Sequence, residues 1–120
     1  MAAEYVAQRG NSEIILCERG IRTFEPATRN TLDLAGMAVA QLESHLPVIV
    51  DPSHATGHKD LVAPMARAAV AGGADGVMID VHPEPGQALC DGPQALRPEE
   101  ILVLSKDLQA LAGLLGRRLP

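Results

Sequence analysis

A chain of 120 residues, 47% hydrophobic and 21% charged, has the size and balance of one soluble globular domain, which argues against a disordered tail or a membrane bundle. With one Tyr, one Phe and no Trp, the core must be built from Ala, Val, Ile, Leu and Met, and bases have no aromatic platform to stack on. A formal charge of -5 gives no field that gathers polyanions, so nucleic acid is not an expected partner.

The first residues carry neither a basic lead nor a secretory apolar stretch, and no run approaches the roughly 20 apolar residues that span a bilayer. The expectation is a cytoplasmic protein without membrane contact. Cys17 and Cys90 are too few and too far apart for a disulfide framework or a metal knuckle, so free thiols are expected.

In chain order, Ala2 to Gln8 reads as the end of a helix, and Glu13 to Cys17 as a first strand. Thr28 to Ser44 carries an imperfect helical stripe of Leu32, Leu34, Met37, Val39 and Leu42, and Pro47 to Val50 reads as a second strand. Lys59 to Gly72 is a cleaner helix, with Val62, Met65, Ala66, Ala69 and Val70 on one face and Gly72-Gly73 ending it; Pro64 places the start of its regular part near that residue. Gly76 to Val81 is the third strand. A last helix begins at Arg97-Pro98-Glu99-Glu100, where proline and acidic residues suit a first turn, and runs through Ile101, Leu104, Leu108 and Leu111. Arg117-Arg118 reads as a solvated tail.

The strands begin near residues 14, 48 and 77, so their spacing is 34 and then 29 residues, with helices between. That is the pattern of βα units and a parallel sheet, an α/β fold. Each strand is apolar on both faces, yet right-handed crossovers place these helices on one face only. The other face needs a cover: the missing strands of a closed barrel, a second copy of the chain, or a partner protein.

Polar residues gather just after each strand: Glu18 to Thr23, Asp51 to His58, and His82 to Glu84 followed by Asp91-Gly92. The carboxyl ends of parallel strands form the ligand face of such folds, so the three clusters converge. His54 with Asp80 and Asp91 offers one imidazole and two carboxylates, a set suited to Mn, Fe, Co or Zn. Arg19 and Arg22 could hold a phosphate or carboxylate by paired hydrogen bonds. The same residues have plain structural readings. His54 could be a hydrogen-bonded core residue, Asp-Pro-Ser a turn, Asp91-Gly92 a loop organiser, and Arg19-Gly20 a surface turn.

The run Ile15 to Glu25 with Thr28 to Asp33 resembles the sixth-strand region of 3-deoxy-D-arabino-heptulosonate 7-phosphate (DAHP) synthases, of the kind related to 3-deoxy-D-manno-octulosonate 8-phosphate synthase. His45 to Gly57, containing Asp51-Pro52-Ser53-His54-Ala55-Thr56-Gly57, resembles the seventh strand and its loop. Gly73 to Pro85 and Ala88 to Gln94 resemble the eighth. The resemblance implies a partial TIM (β/α)8 barrel of about three parallel strands alternating with helices. It also implies a reaction joining phosphoenolpyruvate to erythrose 4-phosphate with release of phosphate, the entry to aromatic amino-acid synthesis. It casts Arg19 as a contact of the phosphoenolpyruvate phosphate and His54, Asp80 and Asp91 as metal ligands, with Asp51 near the aldehyde. The family's remaining metal ligand is a cysteine on the first strand, and Cys17 and Cys90 do not match it. The family also has Glu at the place of Asp80, one methylene longer.

Two readings follow. The first is part of an enzyme that acts with a complementary half-barrel chain or as a homo-oligomer. The second is a non-catalytic module derived from the synthase, binding an anion or another protein.

Overall fold

The computed structural model describes residues 2–118. A short helix, α1 (Ala2–Gln8), leads into β1 (Leu16–Glu18), α2 (Leu34–Glu43) and β2 (Val48–Val50). Then come α3 (Pro52–Thr56), α4 (Lys59–Ala71), β3 (Gly76–Val77) and α5 (Pro98–Leu114), the last preceded by two 3-10 turns at Pro85–Gln87 and Gly92–Gln94.

The three strands form one parallel sheet in the order β1-β2-β3, as expected of βα units. Cys17 aligns with Ile49 and Ile49 with Gly76, while Val50 lies between Glu18 and Val77. Alternation along the strands therefore sends Val48 and Val50 to one face and Ile49 to the other. The first face is covered: Met37 of α2, Val48, Val50, Ala69 of α4 and Ala74 form one buried cluster. A second cluster joins α4 to α5 through Val62, Ala66, Val70, Leu96, Leu104, Leu108 and Ala112. The face of Ile49 has no such cover among the described residues, and Ile15 and Met78 are 60% and 45% exposed. The sheet is open on the side where the sequence left an apolar face without a partner.

Several boundaries differ from the sequence reading, for reasons that lie in the partners. β1 starts at Leu16 rather than Glu13, because β2 offers its first acceptor at Pro47, whose carbonyl takes the Leu16 amide at 2.9 Å. β3 ends at Val77 rather than Val81. Chain β2 has already turned into α3 there, so Asp80 donates its amide to the Ser53 hydroxyl at 3.1 Å, and Val81 bridges to Leu96. Helix α2 starts at Leu34 rather than Thr28; Asp33 caps it by accepting from the Gly36 amide at 2.7 Å, and residues 19–32 are a loop pinned by an antiparallel bridge between Ile21 and Thr31. The expected stripe also rotates: Met37 is buried, but Val39 and Leu42 are 50% and 87% exposed. Helix α4 begins at Lys59, five residues before Pro64, which sits on its exposed side.

Helix α5 follows the sequence reading closely. Pro98 occupies its first turn, and the Glu100 carboxylate reaches back to the Arg97 amide at 2.7 Å. That hydrogen bond, with a second from Lys59, holds the Glu100 carboxyl below the usual range. Arg117 departs from the solvated-tail expectation. Its guanidinium bonds the Gly73 and Ala74 carbonyls and pairs with Asp75, folding the end of the chain back onto the amino-terminal edge of the sheet.

Candidate functional site

Past the strand ends, the open face continues as polar side chains. Arg19 follows Cys17 by two residues, Asp51 follows Ile49, and Asp80 follows Met78, so the period of two keeps all three on the open side of the sheet. Gly20 turns the chain immediately after Arg19. Its φ is +88°, and a Cβ would lie 2.6 Å from Asn30 Cβ, so only glycine fits the turn.

Asp51 is fully buried and serves two ends at once. One oxygen accepts the His54 amide at 2.9 Å and caps α3, a helix with Pro52 in its first turn. The other oxygen lies 3.1 Å from Arg19 Nε and 2.9 Å from His54 Nδ1. A segment read as a turn is therefore a one-turn helix that sets His54 against Asp51. The Asp-Pro-Ser signal was present; five residues are too few to show helical periodicity.

His54 is surrounded by carboxylates. Its Nδ1 is 3.5 Å from Asp80 Oδ2, and its Nε2 is 3.6 Å from Asp91 Oδ2. Nδ1 is buried, and although Asp51 is near, no acceptor lies along its N–H direction, so the atom has no hydrogen-bond partner. His54, Asp80 and Asp91 each offer a ligand atom, and these atoms lie within 4.8 Å of one another. Two donors at about 2.1 Å from one first-row divalent ion stand about 3.0–3.5 Å apart, so the 3.6 Å from His54 to Asp91 is already close to that spacing. With Nδ1 turned toward Asp51, Nε2 is the nitrogen that faces Asp91, and this imidazole nitrogen with two carboxylates is a mixed nitrogen and oxygen donor set that fits a borderline divalent cation.

Arg22 is placed differently. Its Nη1 donates to the Arg29 carbonyl at 3.4 Å, and it shares no hydrogen bond or ion pair with Arg19, Asp51, His54, Asp80 or Asp91 among the described residues. Two site residues carried no sequence signal strong enough to single them out. Gln94 donates to Asp80 Oδ2 at 2.6 Å, and Arg29 lies 3.9 Å from Asp91 Oδ1. Arg29, His58, Asp91 and Gln94 also line an open cleft of about 450 Å³ beside the cluster. Both cysteines are free, as expected. The Cys17 thiol, on the open face, is pushed up by burial and then by the charge of Asp51, which keeps it protonated and a poor ligand or nucleophile.

A profile of the DAHP synthetase I family matches residues 1–113. The phospho-2-dehydro-3-deoxyheptonate aldolase of Thermotoga maritima is 55% identical over 97% of this chain, which spans 34% of that protein. A 2-dehydro-3-deoxyphosphooctonate aldolase of Syntrophotalea carbinolica is 36% identical over 92% of the chain and 43% of its own length. The crystal structure of the Thermotoga DAHP synthase superposes with a TM-score of 0.95 at 54% identity, over 99% of this chain and 35% of that one. A truncated form of the same enzyme gives 0.94, with 45% of its length covered. The chain thus spans between a third and a half of the relatives it matches, and its three-stranded sheet corresponds to part of the TIM barrel of those synthases. It belongs to the DAHP synthetase I family.

Proposed function

We propose that this chain forms the metal-holding wall, and part of the phosphate-holding wall, of a DAHP synthase active site. In that reaction phosphoenolpyruvate, erythrose 4-phosphate and water give the condensed sugar acid phosphate and inorganic phosphate. The observation that carries the reading is the convergence of His54, Asp80 and Asp91 at the carboxyl ends of parallel strands, beside Arg19 and Asp51.

His54, Asp80 and Asp91 would hold the divalent ion, of the Mn, Fe, Co or Zn class. When bound, such an ion supplies Lewis-acid polarisation of the aldehyde oxygen that the enol carbon attacks. Arg19 spends its Nε on Asp51, leaving the two terminal nitrogens of a solvent-facing guanidinium for the phosphoenolpyruvate phosphate. Asp51 fixes Arg19 and His54 with one buried carboxylate, and so sets phosphate binding and metal binding in register at the aldehyde side of the site. The other five strands, carrying the remaining ligand and basic residues, would come from outside these 120 residues, whether from the same polypeptide, a complementary half-barrel or an assembly of chains. No helix among the described residues is long and apolar enough to cross a membrane, and the same reading places the reaction in the cytoplasm.

The test is phosphate release from phosphoenolpyruvate, dependent on erythrose 4-phosphate and Mn. It is expected when the chain is combined with a segment supplying the first five strands, and not from the chain alone. A complex that assembles and still releases no phosphate overturns the reading. In the active complex, Arg19→Ala is expected to weaken phosphoenolpyruvate binding about 10- to 100-fold, the loss of one or two charge-assisted hydrogen bonds. Calorimetric titration checks this, and an unchanged affinity removes Arg19 from the substrate contacts.

A further inference from the structure

We propose that Gln94 is a positioning residue that locks Asp80 into the ligand set, so that the turn at residues 91–94 places both carboxylates of the metal site as one unit. The inference rests on the proposed metal-holding role of His54, Asp80 and Asp91. The geometry that supports it is independent of any ion. Gln94 is only 4% exposed, an unusual place for a long amide, and its Nε2 donates to Asp80 Oδ2 at 2.6 Å. Its backbone is held as well, the Gln94 N–H donating to the Asp91 carbonyl at 3.2 Å. The turn that carries it starts at Asp91 with φ of 56°, the one non-glycine residue with positive φ among those described. Gly92 completes the turn, since a Cβ there would stand 2.3 Å from the Pro85 carbonyl oxygen.

The backbone of Asp80 is held on both sides, by the Ser53 hydroxyl through its N–H and by the Leu96 amide at 2.9 Å through its carbonyl. What remains free is rotation of a short side chain among the carboxylates of Asp51 and Asp91, which repel it. Gln94 removes that freedom. A neutral amide does so without cancelling the negative charge a cation needs, which Arg or Lys at this position would do. The other Asp80 oxygen keeps its lone pairs for a ligand.

The test uses the full chain and Mn alone, with affinities measured by calorimetry. Gln94→Met preserves length and removes the donor; it is expected to weaken Mn binding about 10- to 100-fold, as loss of an outer partner of a metal ligand does. Gln94→Leu, which also removes the donor and adds no charge, is expected to weaken binding likewise and serves if the methionine variant does not fold. In an Asp80→Ala background, Gln94→Met should cause no further loss, because its effect runs through Asp80. Metal-free, the side-chain amide resonances of Gln94 should shift on Asp80→Ala. Wild-type affinity in both Gln94 variants, or the same loss with and without Asp80, overturns the inference while leaving the metal site standing. A wild-type chain that takes up no Mn overturns both.

Discussion

His54→Ala is expected to abolish saturable Mn binding, a loss larger than the roughly 10- to 100-fold that follows removal of an outer partner. The imidazole is the single nitrogen donor in the cluster and faces Asp51, Asp80 and Asp91 together. The substitution should spare the fold. The α3 cap uses the backbone amide of residue 54, which alanine retains, and the side chain is already 20% exposed. The measurement is thermal unfolding with and without Mn. A ligand that binds only the native state raises the midpoint by mass action, so wild type should gain with Mn and the variant should not. If His54 is merely a packed core histidine, the variant melts lower and Mn shifts neither protein. A wild-type gain that persists in His54→Ala moves the ion to another site.

Much of this cluster was legible in the sequence, because parallel strands bring distant residues to one end. Short apolar runs about 30 residues apart fix where the ligand face lies, and His54, Asp80 and Asp91 each follow such a run. Helices α4 and α5 were readable because a packed helix writes its buried face at every third or fourth residue; Val62, Ala66, Ala69 and Val70, and Leu104 and Leu108, are all buried. The ends of β1 and β3 were not readable. Strand length depends on how far the neighbour runs, and β2 stops at Val50 because Asp51 caps α3. Helix α2 misled for a similar reason: its inner face carries Met37 and the polar Gln41, so hydrophobicity marks the outer Val39 and Leu42 equally well. Gln94 was invisible, since one glutamine after a proline has no pattern until the fold sets it against Asp80.

Asp75→Ala is expected to lower the unfolding free energy by about 2 kcal/mol at neutral pH, the scale of charge-assisted hydrogen bonds lost at a partly exposed site. Asp75 stands at the amino-terminal edge of the sheet, where one carboxylate gathers three elements. One oxygen accepts the Val48 amide at 2.8 Å, at the start of β2, and Gln41 Nε2 of α2 at 3.1 Å. The other pairs with Arg117, beyond α5. Alanine leaves the Val48 amide without its acceptor at a position where Val48 is 2% exposed. The bond also sets a pH dependence. Burial pushes the Asp75 carboxyl up, but the hydrogen bonds from Val48, Gln41 and Arg117 outweigh it and hold the group below the usual range. The unfolded chain therefore takes up its proton first. Wild type keeps this stabilisation above about pH 4 and loses it as pH falls through the lowered native value. Urea unfolding should show a gap between wild type and Asp75→Ala that is full at pH 7 and closes in acid. A gap of the same size at both extremes would mean that packing, not the carboxylate, is lost. Because this edge is the far end of the strands from His54, the variant should keep wild-type Mn affinity, which separates what holds the barrel fragment together from what its open end binds.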